Sequence, residues 1–355
     1  MNIAIVGVGL IGGSIGLAVQ ERLGATVIGY DPQQRVRDEA LRRGAIVKAA
    51  TSAAAAVADA ELVFVAAPVS ALPVAVDEVL AAAGEDCAVS DVGSTKRALV
   101  AGRSDPRFIG GHPLAGAETS GVEHARADLF DGATWYLTPG ATTSGTLYER
   151  LHKVLAALGA QPTAIDPADH DRVLASVSHL PHVFANVLVA QAARVLGDGE
   201  QVPATGPSFR DATRVAGASA TIWPDIYISN SDAIVTLLDE AATRLHEVRD
   251  AIAAADREAI ERWNDSARSD RDALLGAGLA GGAVHELRAA VADRPGAVAE
   301  IALALGRAGI NIADMALSPS RDGSQGVVAL WIGGEDQARR AAELIGALGI
   351  PVARA

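Results

Sequence analysis

The spacing of apolar residues along the chain changes twice, and each change marks a new unit. From Asn2 to about residue 165, short apolar runs alternate with amphipathic stretches. Asn2–Val6 predicts a strand, the residues up to about Leu23 an amphipathic helix, and Ala25–Tyr30 a second strand ending at Asp31. Pro32–Arg43, Glu61–Ala66, Ala71–Ala82 and Cys87–Ser90 continue the alternation, with Thr134–Leu137 and Gln161–Ile165 as late strands. Such alternation builds a parallel sheet with helices on both faces.

After Asp166 the strand signal stops. Asp169–Leu196, Ser208–Gly217, Thr221–Ser229 and Ser231–Trp263 read as consecutive helices. Asp166 and Ser231 are suited to cap free backbone N–H groups at helix starts. Along Ser231–Trp263, Ile234, Leu237, Leu238, Ala241, Leu245, Val248 and Ile252 recur at helical spacing. A helix that long needs a partner, so all-α packing and a dimer interface are expected. Ala277–Gly282 reads as a linker. Beyond it come a strand (Val284–Val291), a helix (Pro295–Ala308), two strands (Ile310–Leu317, Gly326–Ile332), a helix (Asp336–Leu348) and a terminal strand (Pro351–Ala353). The order βαββαβ is the split ferredoxin-like unit. The expected class is α/β: a Rossmann-like domain over 1–165, a helical domain over 166–276 and a ferredoxin-like domain over 283–355.

Composition narrows the function. The chain has 355 residues, half of them hydrophobic, and a formal net charge of −13. That is a globular protein whose surface repels phosphate backbones and anionic lipid heads, so no nucleic-acid or membrane partner is expected. The single cysteine, Cys87, lies in a predicted strand and reads as buried filler; one cysteine forms no intramolecular disulfide. The uncharged start of the chain lacks the basic segment of a signal peptide, and its glycines have another use. A cytoplasmic protein is expected.

Those glycines are Gly7-Val8-Gly9-Leu10-Ile11-Gly12, between the first strand and the first helix. Gly7 makes the tight turn, Gly9 lets the backbone approach a pyrophosphate, and Gly12 lets helix and strand pack closely. The free N–H groups of the helix start, at Leu10 and Ile11, favour the anion. Asp31 can accept hydrogen bonds from both ribose hydroxyls and repels a 2′-phosphate, which favours NAD over NADP; Arg35 and Arg37 nearby soften that preference. No metal is expected.

Four further segments follow: Asp91-Val92-Gly93-Ser94-Thr95-Lys96, Gly110-Gly111-His112-Pro113-Leu114-Ala115-Gly116-Ala117-Glu118, Ser178-His179-Leu180-Pro181-His182, and Asp211-Ala212-Thr213-Arg214. In this order they resemble the prephenate dehydrogenase family, including its arogenate-using relatives, with a C-terminal ACT domain. The resemblance covers nearly the whole chain. It implies NAD-dependent oxidative decarboxylation of prephenate to 4-hydroxyphenylpyruvate in tyrosine biosynthesis, or of arogenate to tyrosine.

The resemblance also assigns roles. His112 becomes the acceptor of the C4-hydroxyl proton; a free histidine is largely neutral and basic near pH 7. Ser94 orients His112 or the substrate hydroxyl, or caps the helix that follows. Arg214 grips a substrate carboxylate with its planar fork, with Arg210 available to share the task. His182 lies near the substrate, and His179 is structural. His179 and His182 share a helix face, but no accompanying ligand set supports a metal. Pro181 bends the helix and aims them. Glu118 gates the cleft; Ala117 beside it stands where many relatives carry a hydroxyl residue. Trp223 resembles an aromatic that reaches a neighbouring subunit's site. Lys96 is left open between a charge contact and a surface position, and Asp171 between a cleft partner and the helix surface.

In the C-terminal unit, Asp293, Gly296 and Asn311 resemble the effector-binding residues of ACT domains, with tyrosine as the expected effector. Two rival classes remain. Other β-hydroxyacid-type dehydrogenases place a catalytic lysine on the helical domain, and residues 166–276 contain no lysine. A non-catalytic amino-acid sensor has no need of His112, Ser94 and Arg214 together.

Overall fold

The computed structural model describes residues 1–115, 119–196, 206–218, 220–276, 284–292, 294–319 and 325–354. The first domain runs β1 (Asn2–Val6), α1 (Leu10–Leu23), β2 (Thr26–Tyr30), α2 (Gln34–Arg42), β3 (Lys48–Ala49), α3 (Ala53–Val57), β4 (Leu62–Val65), α4 (Leu72–Ala82), β5 (Ala88–Asp91), α5 (Arg97–Val100), β6 (Phe108–Pro113), β7 (Thr134–Thr138), α6 (Gly145–Ala157) and β8 (Gln161–Ala164). These strands form one sheet in the order β3-β2-β1-β4-β5-β6-β7-β8. The strand order reverses beside β1, the place where such sheets bind ligands outside their carboxyl ends. The sheet is mixed: β7 runs antiparallel to β6, with His112 opposite Tyr136. Among the described residues no α-helix links this pair, and a parallel return needs a crossover.

Nearly every residue of β1, β4 and β5 is buried. Buried strands of this kind read as continuous apolar runs, as the sequence does here. One core lies on each face of the sheet.

The helical domain comprises α7 (Pro167–Leu174), α8 (Leu180–Leu196), α9 (Pro207–Thr213), α10 (Trp223–Ser229), α11 (Ser231–Ala253) and α12 (Arg257–Gly276). Asp166 caps α7, accepting from the N–H of Ala168 at 2.9 Å. Two expectations change here. The first long helix runs through from α7 to α8, but Ala175–His179 forms a π-helical turn within it. Pro181 lacks an N–H and its ring crowds the preceding turn, and a widened turn relieves that conflict. The expected Ser231–Trp263 helix is two helices. Ala255 takes φ 52°, which stops α11, and Asp256 accepts the N–H of Ala259 at 3.0 Å to start α12. Apolar periodicity passes through such a break unchanged. The expected Ala277–Gly282 linker lies outside the described residues.

The C-terminal domain is β9 (Val284–Ala292), α13 (Ala297–Arg307), β10 (Ile312–Pro319), β11 (Gln325–Gly333), α14 (Glu335–Ala347) and β12 (Val352–Arg354). Its sheet is antiparallel, in the order β10-β11-β9-β12. It packs directly on the first domain. The core runs without a break from Leu151 and Leu155 of α6 into Ile301 and Met315. The N–H of Gly296 donates to the carbonyl of Thr143 at 3.0 Å, and the Thr163 hydroxyl donates to Asn311 Oδ1 at 3.4 Å. Two of the three residues expected to hold an effector therefore lie at the seam with the nucleotide domain. Asp293 lies outside the described residues.

Candidate active site

The glycine cradle has the geometry its sequence implies. Gly7 adopts φ +94°, and a Cβ there would meet the carbonyl oxygen of Ala66 at 2.4 Å. A Cβ on Gly12 would meet the carbonyl oxygen of Gly7 at 2.0 Å, so helix and strand touch at that residue. Above Gly9 there is open space, with no atom within 4 Å of where a Cβ would stand. The cradle opens into a cavity of about 1240 Å³, lined among others by Gly7, Gly9, Tyr30, Asp31, Pro68 and Ser120. Asp31 is held at the end of β2: its carboxylate accepts the N–H of Val8 at 3.3 Å and of Gln33 at 3.0 Å. Arg37 donates to the Pro32 carbonyl at 3.4 Å, whereas Arg35 lines the cavity. Glycines, helix start and ribose-side carboxylate together fit a dinucleotide with a free 2′-hydroxyl.

His112 stands near the end of β6. Because β1, β4, β5 and β6 are parallel neighbours, it shares the carboxyl edge of the sheet with the cradle. A buried ion pair builds the floor. Asp91 bonds Lys96 Nζ, accepts the N–H of Gly93 at 2.7 Å and accepts that of Gly111, next to His112, at 3.1 Å. Neither member of the pair is exposed. Lys96 is thus not at the surface; it ties the loop after β5 to β6. Removing one partner of a buried pair costs about 3–5 kcal/mol, so the floor is rigid.

The His112 ring is bonded on one side. Its Nδ1 lies 2.9 Å from Nε2 of His170, whose Nδ1 lies 2.8 Å from Oδ1 of Asp171. Asp171 also accepts the N–H groups of Lys96 at 2.8 Å and Arg97 at 2.9 Å, at the start of α5. Asn230 donates to the Asp171 carbonyl at 2.7 Å and contacts His179 Nδ1 at 3.3 Å. The His179 ring meets Trp223 edge-on, and Trp223 stacks on His182. A continuous array thus runs from His112 to His182 across the domain boundary.

The electrostatics follow from burial. Burial, reinforced by the nearby His170 and Lys96, pushes the His112 imidazole well below its ordinary value. Burial likewise lowers His170, partly offset by the Asp171 carboxylate. Burial alone would raise Asp171, but the bonds from His170 and from two backbone N–H groups outweigh it and hold the carboxyl below its usual range. Burial pushes His179 down to about 4. The site at neutral pH therefore holds neutral imidazoles beside the Asp171 carboxylate and the Asp91–Lys96 ion pair.

The remaining expected residues are placed less centrally. Ser94 makes no hydrogen bond among the described residues; its neighbour Thr95 bonds Ser229 at 2.8 Å. Arg214 opens a short 3₁₀ turn, Arg214–Gly217, that packs on α8, the helix of His182. Trp223 lies against His182 of its own chain. Glu118 lies outside the described residues. Sequence reasoning did not single out His170, Asn230 or Tyr227. Only His170 had a visible signal, an imidazole adjoining Asp171 just inside a capped helix.

A nucleotide cradle and a buried imidazole on one sheet edge, backed by a helical domain, define a nicotinamide-dependent dehydrogenase of the two-domain type. Comparison with known sequences narrows this. Residues 15–163 match the model of the prephenate dehydrogenase nucleotide-binding domain, 166–265 that of the prephenate dehydrogenase dimerization domain, and 285–349 that of the ACT domain. The chain belongs to the prephenate dehydrogenase family. It is 34% identical over 356 residues to a prephenate dehydrogenase of Bacillus subtilis, spanning 97% of this chain and 95% of that one. It is 32% identical to a cyclohexadienyl dehydrogenase of Zymomonas mobilis, over 76% of this chain and 94% of the relative. Among solved structures, the prephenate dehydrogenase of A. aeolicus in complex with hydroxyphenyl propionate and NAD+ superposes with a TM-score of 0.70 at 28% identity, covering 77% of this chain and 98% of that one.

Proposed function

We propose that this chain catalyses the NAD-dependent oxidative decarboxylation of prephenate to 4-hydroxyphenylpyruvate, with His112 as the proton acceptor. The observation that carries the reading is the His112 imidazole. It is buried and held neutral, pinned through Nδ1, and bonded through Nε2 to no group among the described residues. It keeps 8% of its surface exposed, and a substrate hydroxyl would meet it at Nε2.

The bound nicotinamide supplies the hydride acceptor for C4 of the ring. His112 takes the C4-hydroxyl proton at Nε2, so the oxygen can form a carbonyl as the hydride leaves. When the bond from C1 to its carboxylate breaks, CO2 departs and the electron pair makes the ring aromatic. His112 then returns the proton to the phenolic oxygen. Positioned acid–base help of this kind is worth about 10²–10⁴ in rate. Arg214 receives a substrate carboxylate, with Arg210 and His182 sharing substrate binding; Glu118 gates the cleft, and Ser94 orients His112 or the substrate hydroxyl. Gly7, Gly9, Leu10, Ile11, Gly12 and Asp31 hold the NAD. The three functional units are residues 1–165, 166–276 and 283–355.

The protein works as a homodimer in the cytoplasm. Apolar side chains exposed on α8 and α11, among them Val187, Leu188, Val189, Leu245 and Ile252, support a subunit contact. The stretch Pro167–Val195 is long and apolar enough to cross a membrane, but it carries the buried His170, Asp171 and His179. Tyrosine is the effector of the ACT domain, held by Asp293, Gly296 and Asn311. The seam bonds of Gly296 and Asn311 give it a route to the nucleotide domain.

The test is direct. The protein is mixed with NAD and prephenate, and in parallel with arogenate, and NADH absorbance is followed. NADH formation with prephenate supports the reading, and formation with arogenate alone moves the substrate to its amino analogue. No NADH with either removes the proposal. Titrating tyrosine into the full chain and into Asn311→Ala tests the effector; equal inhibition of both places the regulator elsewhere.

A further inference from the structure

We propose that His170 and Asp171 are positioning residues that fix the tautomer and aim of His112, an inference that rests on His112 being the proton acceptor. Proton bookkeeping along the array leaves one arrangement. Asp171 is ionised and accepts only, and its carboxylate faces three donors: His170 Nδ1 and the N–H groups of Lys96 and Arg97. His170 must therefore carry its proton on Nδ1. A neutral imidazole has one proton, so Nε2 of His170 is a bare lone pair. The group 2.9 Å from it, Nδ1 of His112, must donate. His112 then has its lone pair on Nε2, the nitrogen with no partner among the described residues. A carboxylate two residues removed thus decides which nitrogen of His112 is basic.

The surroundings hold this arrangement in place. His170 is wholly buried. Its ring stands at 90° to that of Tyr136, with centroids 5.6 Å apart. Asp171 is anchored to the first domain through α5, while Asn230 fixes its backbone from the start of α11. The aim of the base therefore depends on the docking of the helical domain. When His112 accepts the substrate proton, the new positive charge faces, through His170, the Asp171 carboxylate. The groups around it are the Lys96–Asp91 pair, His179 and Tyr136, and Asp171 is the anion bonded into the array.

Two substitutions at one position separate positioning from mere packing. Gln at position 170 can place a carbonyl oxygen where Nε2 stands and accept from His112. Asn is too short to do so. We expect His170→Asn to lower kcat at least about ten-fold, with KM for NAD unchanged. His170→Gln should recover most of that loss. Both variants should keep the wild-type circular-dichroism spectrum, and tryptophan fluorescence quenching by NAD checks that the cofactor still binds. His112→Asn runs alongside. If His112→Asn is inactive while both His170 variants keep wild-type kcat, the positioning role is overturned and the base reading survives. If His170→Gln is as slow as His170→Asn, the acceptor geometry is overturned. If His112→Asn keeps wild-type kcat, the underlying base assignment itself has failed.

Discussion

Trp223 lies flat on His182, with ring centroids 3.5 Å apart and planes 4° apart. Tyr227, one turn further along the same helix, bonds His182 Nδ1. The imidazole is thus held on its face and at its edge by two residues of α10. Stacked rings contribute about 0.5–1.5 kcal/mol beyond the area they bury. Trp223→Leu should therefore release His182 and raise KM for the ring substrate several-fold, while KM for NAD stays put. Steady-state kinetics with each substrate varied in turn makes the comparison.

His112→Asn removes the proton acceptor and keeps a polar side chain of similar size. Turnover should fall about 10²–10⁴-fold, and NAD should bind as before. Stopped-flow absorbance and a separate NAD titration distinguish the two effects. Full turnover in this variant would require another acceptor.

Arg214→Gln keeps hydrogen-bonding capacity but loses the charge and the fork. A charge-assisted bond contributes about 1.5–3 kcal/mol, so KM for the substrate should rise roughly ten- to hundred-fold with a smaller change in kcat. A fall in kcat with KM unchanged would move Arg214 out of ground-state binding.

Asp31→Ala should weaken NAD binding and relax the rejection of NADP, because the repulsive carboxylate is gone while Arg35 still lines the cavity. The ratio of kcat/KM for the two cofactors measures it. An unchanged ratio would leave discrimination to other residues.

Stability should fall in mild acid. Burial depresses His152 and His179 to about 4 in the folded protein, against about 6.5 when unfolded. Below pH 6.5 the unfolded chain binds protons that the folded chain refuses. Stability is therefore full above that value and is lost as pH drops towards 4. The slope is at most about 1.4 kcal/mol per pH unit for each histidine. Urea unfolding at a series of pH values tests the window, and His179→Gln should flatten the slope.

The sequence alone determined the three architectural units and the cofactor cradle. Both are written in local rules: apolar period, helix caps, and glycines where a backbone must turn or approach. It also singled out His112, Arg214, His179 and His182, because those segments are short and distinctive. Local rules did not reach contacts between residues far apart in the chain. The antiparallel turn of β7, the break at Ala255 and the π turn before Pro181 leave the apolar spacing intact, so periodicity passes over them. Spacing left a surface position open for Lys96, and only the fold buried it against Asp91 in the floor. His170 looked like an ordinary helical histidine. Only packing the helical domain against β6 set its ring between His112 and Asp171, since hydrogen bonds between remote segments depend on how the domains dock, which local spacing does not encode.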